Sequence, residues 1–381
     1  MIKIMKYFIR TFGCQMNKSD SERIARLLEK QGYKESSEMA EADLIVVNMC
    51  SVRQSAVDRV YGMAKKFAKL KTQNSKLKTL LTGCVSKKDF LKFRNFFDFI
   101  LPIKTLSLWP RILKKEKFHF LPDQREKNFV EKFDCDYLKI KPKYKNPSLV
   151  FIPISTGCDN FCSFCIVPFV RGPLVCRDHK EILKEVKEAV KNGAKEIWLL
   201  GQNVNDYRSP SDEKIDFPQL LKMVEKIPGD FKFFFTSPHP KNFSDDLIEV
   251  LSQSKKFGKY LNLPVQSGDD TILKKMNRNY TVKEYKNLVK KIREKIPEIK
   301  LSTDVIVGFP GETKRQFENT LNLFKEIKFD YAYIGKFSPR PGTAASKMED
   351  NVPWKEKKER ERKLRSVLKK ITGGSLAARL F

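Results

Sequence analysis

Cys158, Cys162 and Cys165 fall in one short run, Gly157-Cys158-Asp159-Asn160-Phe161-Cys162-Ser163-Phe164-Cys165. The Cys-x3-Cys-x2-Cys spacing offers three thiolates from one turn of backbone, and no fourth cysteine or histidine stands near enough in sequence to close a tetrahedral site. Structural zinc is normally closed by four ligands. Iron–sulfur clusters are held by thiolates, and three thiolates leave one iron of a [4Fe-4S] cluster open. The loop therefore reads as a cluster site with a free iron. Two blander readings compete with it: a zinc loop borrowing a distant ligand such as Cys176, and three buried thiols serving as small apolar side chains. The flanks favour the cluster. Val150-Phe151-Ile152-Pro153-Ile154-Ser155 feeds the loop as a strand, and Val167-Pro168-Phe169-Val170-Arg171-Gly172 leaves it.

A second set of thiols is spread over the first part of the chain. Alternating apolar and amphipathic runs predict strands at Tyr7 to Phe12, Leu44 to Asn48 and Leu77 to Thr82, with helices at Ser19 to Gln31 and Ser55 to Leu70. Short buried strands alternating with helices imply an open parallel sheet. Each strand ends within two residues of a cysteine, Cys14, Cys50 or Cys84. Ligands of such sheets bind outside the carboxyl ends of the strands, so these three thiolates are expected to meet there and hold a second cluster. The competing reading is three incidental buried cysteines.

Around residues 104 to 147 the rhythm gives way to Lys and Pro, as in Lys139-Ile140-Lys141-Pro142-Lys143-Tyr144-Lys145-Asn146-Pro147, which marks a connecting segment. Cys135 lies there without partners. From Val150 the rhythm resumes with strands at Val150 to Ser155, Glu196 to Leu200, Phe231 to Thr236, Tyr260 to Leu263, Leu301 to Val307 and Tyr331 to Phe337. Six βα units suit a partial (β/α)6 barrel, whose functional groups sit on the loops after the strands. Those loops carry Gly201-Gln202-Asn203-Val204-Asn205, Ser237-Pro238-His239-Pro240, Pro264-Val265-Gln266-Ser267-Gly268, Gly308-Phe309-Pro310-Gly311-Glu312 and Ser338-Pro339-Arg340-Pro341-Gly342-Thr343. The expected division is 1–122 for the first sheet domain, 123–147 for a basic linker, 148–345 for the barrel and 346–381 for a basic helix and tail.

The chain has 381 residues and a formal net charge of +29, which points toward a polyanion. Lys far outnumbers Arg, and Phe, Ile and Asn are abundant, so an AT-rich genome explains part of that excess. No apolar run approaches the length of a bilayer span, and the first residues carry no signal peptide, so a cytoplasmic protein with no membrane partner is expected. Eight cysteines without a secretory signal read as ligands in a reducing compartment.

These runs, with Thr11-Phe12-Gly13-Cys14-Gln15-Met16-Asn17 and Ser302-Thr303-Asp304-Val305-Ile306-Val307-Gly308-Phe309-Pro310-Gly311-Glu312, resemble the MiaB-type tRNA methylthiotransferases of the radical SAM methylthiotransferase family. The likeness covers about Lys6 to Leu368. It implies that Cys158, Cys162 and Cys165 hold a [4Fe-4S] cluster that binds and cleaves S-adenosylmethionine, giving a radical that removes hydrogen from C2 of an adenosine 3′ of the anticodon. It implies that Cys14, Cys50 and Cys84 hold an auxiliary [4Fe-4S] cluster that carries the sulfur. Gln202, Asn203, Gln266, Ser267, Arg278 and Asp304 are expected contacts to S-adenosylmethionine or the adenine. His119, His179 and His239 are expected to be structural. The implied partners are tRNA bearing isopentenyl-adenosine and a low-potential flavodoxin- or ferredoxin-like electron donor. The Gly201-Gln202-Asn203-Val204-Asn205 loop favours that substrate; threonylcarbamoyl-adenosine in tRNA and an inactive iron–sulfur RNA-binding fragment are the alternatives.

Two departures from the family stand out. Cys176 occupies a position where serine is usual and is read as non-ligating. The family continues past a charged helix, here Lys355 to Lys370, into a small RNA-binding β-barrel, the TRAM domain. That barrel is expected to be absent, either through truncation or because the basic linker and terminal helix grip tRNA instead. The alternating signs of Lys355-Glu356-Lys357-Lys358-Glu359-Arg360 are also those of a plain solvated helix.

Overall fold

A computed structural model describes residues 4–120 and 136–373. Its first unit is a six-stranded parallel sheet of β1 (Lys6–Phe12), β2 (Lys34–Glu35), β3 (Leu44–Cys50), β4 (Lys78–Cys84), β5 (Phe99–Ile100) and β6 (Phe118–His119), in the order β2-β1-β3-β4-β5-β6. Strand β3 is apolar on both faces because both are covered. Leu44 and Val46 face a core shared with Ile24 and Leu28 of the helix Gln15–Lys30, while Ile45, Val47 and Met49 face Val57, Val60 and Phe67. The chain steps from β1 outward to β2 and returns to β3 on the other side of β1, so strand order reverses between β1 and β3. That reversal opens the crevice in which such sheets bind ligands, and Cys14 and Cys50 flank it.

Beyond residue 148 the described strands are β7 (Leu149–Pro153), β8 (Ser155–Thr156), β9 (Val175–Cys176), β10 (Glu196–Leu200), β11 (Arg208–Ser209), β12 (Asp212–Asp216), β13 (Lys232–Phe235), β14 (Tyr260–Asn262), β15 (Lys300–Val307) and β16 (Tyr331–Lys336). Two antiparallel ribbons, β8 with β9 and β11 with β12, are side features. The other six strands are parallel and form the halves β13-β10-β7 and β14-β15-β16. Residues 256–258 stitch the halves together: Phe233 N donates to Lys256 O at 2.8 Å and Gly258 N to Phe233 O at 3.0 Å. The result is the expected partial barrel. Phe151, Trp198, Phe234 and Tyr260 pack its inside, with Trp198 stacked on Phe234 at 4.5 Å between centroids.

The sheet domain closes the barrel's flank. Met16 joins the aromatic cluster inside the barrel, and Ser19 Oγ donates to Phe151 O at 3.0 Å. Buried Arg23 donates to both carboxylate oxygens of Glu185, at 2.8 and 3.1 Å.

Several elements differ from the sequence reading. Strands β3 and β4 run through Cys50 and Cys84 because register pairing continues to the Cys50–Cys84 pair itself. The helix expected over Ser55 to Leu70 is two, Gln54–Ala64 and Phe67–Gln73, and Phe67 turns inward against Phe97 at 5.2 Å between centroids. Residues after 103 do not leave the first domain: Ile103, Leu106, Trp109, Tyr137 and Leu138 are all buried in its core. Two of the described linker lysines are neutralised within the protein, Lys141 by Glu188 and Lys143 by Glu29 and Glu35. Cys135 lies outside the described residues. The terminal helix, Trp354–Ile371, packs Leu364 into the barrel core. Among the described residues no helix is long and apolar enough to cross a membrane.

Candidate functional site

Cys14 caps the helix Gln15–Lys30 directly after β1, while Cys50 and Cys84 are cross-strand partners at the ends of β3 and β4. An asparagine pair fixes the turns that carry them. Asn17 Nδ2 donates to Asn48 Oδ1 at 2.8 Å, Asn48 Nδ2 returns a bond to Asn17 O at 2.9 Å, and Asn17 Oδ1 accepts from Cys14 N at 3.2 Å. Gly83 has φ +99°, and a Cβ there would lie 2.3 Å from both Asn48 Oδ1 and Met49 O, so only glycine lets β4 approach the pair. Burial pushes the Cys14 thiol up. Cys84 is held below the ordinary thiol range, first by a hydrogen bond from Cys50 and then by the Arg171 guanidinium, and Cys50 is raised in turn.

The second triad sits on the loop that follows β7 and β8. The loop is pinched at its base: Cys158 N donates to Gly172 O at 3.3 Å, and a Cβ on Gly157, at φ +82°, would meet Pro173 O at 1.8 Å. Ser163 N donates to Met276 O at 2.9 Å, and Asn277 Nδ2 to Phe161 O at 3.0 Å. Burial pushes Cys158 up and Cys165 up to about 12. A thiol raised in this way becomes a ligand only when a metal replaces its proton.

The expected contact residues divide into three groups. Gln202 and Arg278 stand on the cluster loop: Gln202 Oε1 accepts from Gly157 N at 2.6 Å, and Arg278 Nη1 lies 3.6 Å from Cys162 Sγ while Nη2 donates to Pro264 O at 2.8 Å. Asp304 and Gln266 lie farther into the barrel. Asp304 is half-buried, accepts from Asn262 Nδ2 at 2.8 Å and lies within the field of Arg53 and Arg278; partial burial raises its pKa. Gln266, at φ +68°, bridges to β15 through its backbone, its N to Asp304 O at 2.8 Å. Asn203 and Ser267 are spent on their own loops. Asn203 Nδ2 donates to Asp206 and leaves a buried Oδ1 without a partner among the described residues, and Ser267 Oγ accepts from Asp269 N at 3.3 Å.

The histidines are bonded to structure: His119 to Phe97 O at 2.9 Å, His179 to Ser209 at 2.8 Å, and His239 Nδ1 to Lys241 N at 3.3 Å. Burial, aided by Arg278 and Lys241, holds His239 down to about 3. The unfolded chain therefore binds a proton at His239 below its ordinary value while the native state refuses it, and stability rises with pH across that window. Urea titrations between about pH 4 and 6.5 are expected to show a dependence approaching 1.4 kcal/mol per pH unit that His239→Asn flattens. An unchanged slope in the variant would assign the acid sensitivity elsewhere.

Residues that carried no local signal complete the cleft. Arg171 donates Nε to Cys84 Sγ at 3.0 Å, and Arg340, from the loop after β16, donates to Gln54 Oε1 at 2.8 Å beside the Cys50 turn. Arg53, Tyr333 and Asp304 influence one another electrostatically across the two domains.

Each triad fits a [4Fe-4S] cluster by the chemistry of its donors: three thiolates, with a guanidinium close to one sulfur in each case. Among the described residues no three His, Cys, Asp or Glu side chains are set to hold a single metal ion. Cys176, in β9 opposite Ser155, is half-buried against the barrel core and belongs to neither triad.

Residues 152–324 match the radical SAM superfamily, and residues 6–100 match the uncharacterized protein family UPF0004. The fold supports the first match. The methyltransferase TsrM of Kitasatospora setae superposes with a TM-score of 0.61 over 90% of this chain and 75% of its own, at 12% identity. The cobalamin-dependent enzyme OxsB gives 0.61 over 97% and 56%, at 13% identity. The class defined by fold and site is thus the radical SAM enzymes. Within it, the tRNA-2-methylthio-N(6)-dimethylallyladenosine synthase of Clostridium botulinum is 40% identical over 378 residues, 97% of this chain and 82% of the relative. That of Treponema denticola is 38% identical, over 99% and 86%. The chain belongs to this family of radical SAM methylthiotransferases.

Proposed function

We propose that this enzyme methylthiolates C2 of N6-isopentenyl-adenosine next to the tRNA anticodon. The observation that carries the reading is the placement of two thiolate triads at the strand ends of two abutting sheets, bridged by one arginine that touches Cys84 from the helix following the other triad. When bound, two [4Fe-4S] clusters and S-adenosylmethionine supply the hydrogen abstraction and the sulfur and methyl groups that the reaction needs. C2 of adenine has neither an acidic proton nor a leaving group, so side-chain acid–base chemistry does not reach it.

The protein's own part is to hold and orient. Cys158, Cys162 and Cys165 ligate the cluster that meets S-adenosylmethionine, and Cys14, Cys50 and Cys84 the auxiliary one. Gln202 locks the first loop through Gly157, and Arg278 fixes its position relative to Pro264. Asp304, oriented by Asn262, and Gln266 offer polar groups to the cofactor or the adenine, with Asn203 presenting its unpartnered carbonyl oxygen. Ser267 shapes the turn that carries Gln266. The aromatic barrel lining excludes water. The electron comes from a low-potential flavodoxin- or ferredoxin-like protein in the cytoplasm, where thiols stay reduced. The division into 1–122, 123–147, 148–345 and 346–381 is part of this proposal, with residues 136–147 acting as a packed seam.

Phosphate contacts fall to unpaired cations instead of the seam. On the terminal helix Lys355, Lys358, Arg362, Lys369 and Lys370 form no ion pair among the described residues. Nucleoside mass spectrometry of tRNA from a host lacking its own enzyme is expected to show 2-methylthio-isopentenyl-adenosine only when this gene is present. A methylthio form of threonylcarbamoyl-adenosine would reassign the substrate, and no product would mark an inactive RNA-binding protein.

A further inference from the structure

The helix Val167–Arg171 follows directly on the loop of Cys158, Cys162 and Cys165, yet its last residue reaches into the sheet domain. Arg171 is buried, and each of its three nitrogens has a partner there: Nε donates to Cys84 Sγ at 3.0 Å, Nη2 to Asp20 Oδ2 at 2.7 Å and Nη1 to the Tyr137 hydroxyl at 3.3 Å. Asp20 is itself buried, on the helix capped by Cys14. A guanidinium taken out of water is costly unless its partners are complete. A simple strut needs no charge aimed at a sulfur.

We propose that Arg171 and Asp20 form a charge pair that sets the reduction potential of the auxiliary cluster. This rests on the assignment of Cys14, Cys50 and Cys84 as that cluster's ligands. Hydrogen bonds to ligand sulfurs are among the determinants of cluster potential. Reduction adds negative charge, so the positive donor at Cys84 favours the reduced cluster, and Asp20 tempers that effect. Arg171 is a positioning residue, acting through Cys84.

The test uses the Cys158, Cys162 and Cys165→Ala background, in which the auxiliary cluster is the one remaining, with EPR-monitored redox titration and iron analysis. Arg171→Gln is expected to disfavour reduction by at least about tenfold, a downward shift of about 59 mV for one electron. Asp20→Asn is expected to shift the potential in the opposite direction, and Arg171→Lys to fall between wild type and Arg171→Gln because it keeps the charge and loses the fork. If Arg171→Gln does not fold, the opposed shifts in Asp20→Asn and Arg171→Lys carry the test. Unmoved potentials in variants that retain about four irons would overturn the inference. A background protein that binds no cluster would instead overturn the ligand assignment, and the inference with it.

Discussion

Replacing Cys158, Cys162 and Cys165 together by Ala is expected to abolish cleavage of S-adenosylmethionine and halve the iron, from about eight atoms per chain to about four, because each cubane needs its own thiolates. The complementary triple variant of Cys14, Cys50 and Cys84 is expected to hold the same reduced iron content and still release 5′-deoxyadenosine, while forming no methylthio product. The asymmetry follows from the two placements. One triad lies on a loop closed by its own glycine-bearing base and by contacts from residues 276 and 277, so it does not depend on the sheet domain for its shape. The other is assembled by β1, β3 and β4 and lies entirely in that domain. Full iron in the first variant, measured after anaerobic reconstitution, would remove the loop from the assignment. Loss of S-adenosylmethionine cleavage in the second would show that the triads do not act separately.

Much of this was legible in the sequence because it is local or periodic. A Cys-x3-Cys-x2-Cys loop announces its donors at fixed spacing, and strands such as β10, Glu196–Leu200, announce themselves by unbroken apolar runs. The convergence of Cys14, Cys50 and Cys84 needed one further rule, that ligands gather at the carboxyl ends of parallel strands. The remaining features depend on long-range pairing. Nothing near Arg171 marks it as a partner of Cys84, which is 87 positions away. The Asn17–Asn48 pair likewise spans 31 positions, and each asparagine alone reads as an ordinary turn residue. Charge misled in another way. Lys141 and Lys143 look like an RNA grip until the acidic residues opposite them, on other elements, come into view. Loop position placed Asn203 and Ser267 at the barrel mouth, while their bonds to Asp206 and Asp269 within those loops come only from the folded chain.

Arg360→Ala is expected to destabilise the protein by about 3–5 kcal/mol, the usual cost of leaving one member of a buried ion pair alone. Arg360 and Glu312 are both buried. Nη1 donates to Glu312 Oε2 at 2.6 Å and to Glu312 O at 2.9 Å, and the same carboxylate oxygen accepts from Gly308 N at 2.7 Å. The helix that reads as a solvated, RNA-facing tail thus folds the loop after β15 from behind, with Lys357 bound to Asp350 beside it. Burial already pushes the Glu312 carboxyl up, and Arg360 opposes that push. Without the guanidinium, the loop either keeps a naked charge or takes up a proton. Denaturant unfolding should therefore show Arg360→Met with Glu312→Gln recovering most of the loss, since the one charge left without its partner, Glu356, is partly exposed to water, whereas Arg360→Ala alone does not. Deleting everything after Pro353 would strip Leu364 from the core as well as Arg360 from Glu312, so its effect on tRNA affinity would report unfolding and not lost phosphate contacts. Point changes at Lys355, Lys358, Lys369 and Lys370 avoid that confusion. If these cations contact phosphate, each should flatten the dependence of log affinity on log salt by about one unit while the melting behaviour stays that of the parent protein. A slope unchanged by all four would exclude this helix from the RNA interface and leave its role as the clamp on Glu312.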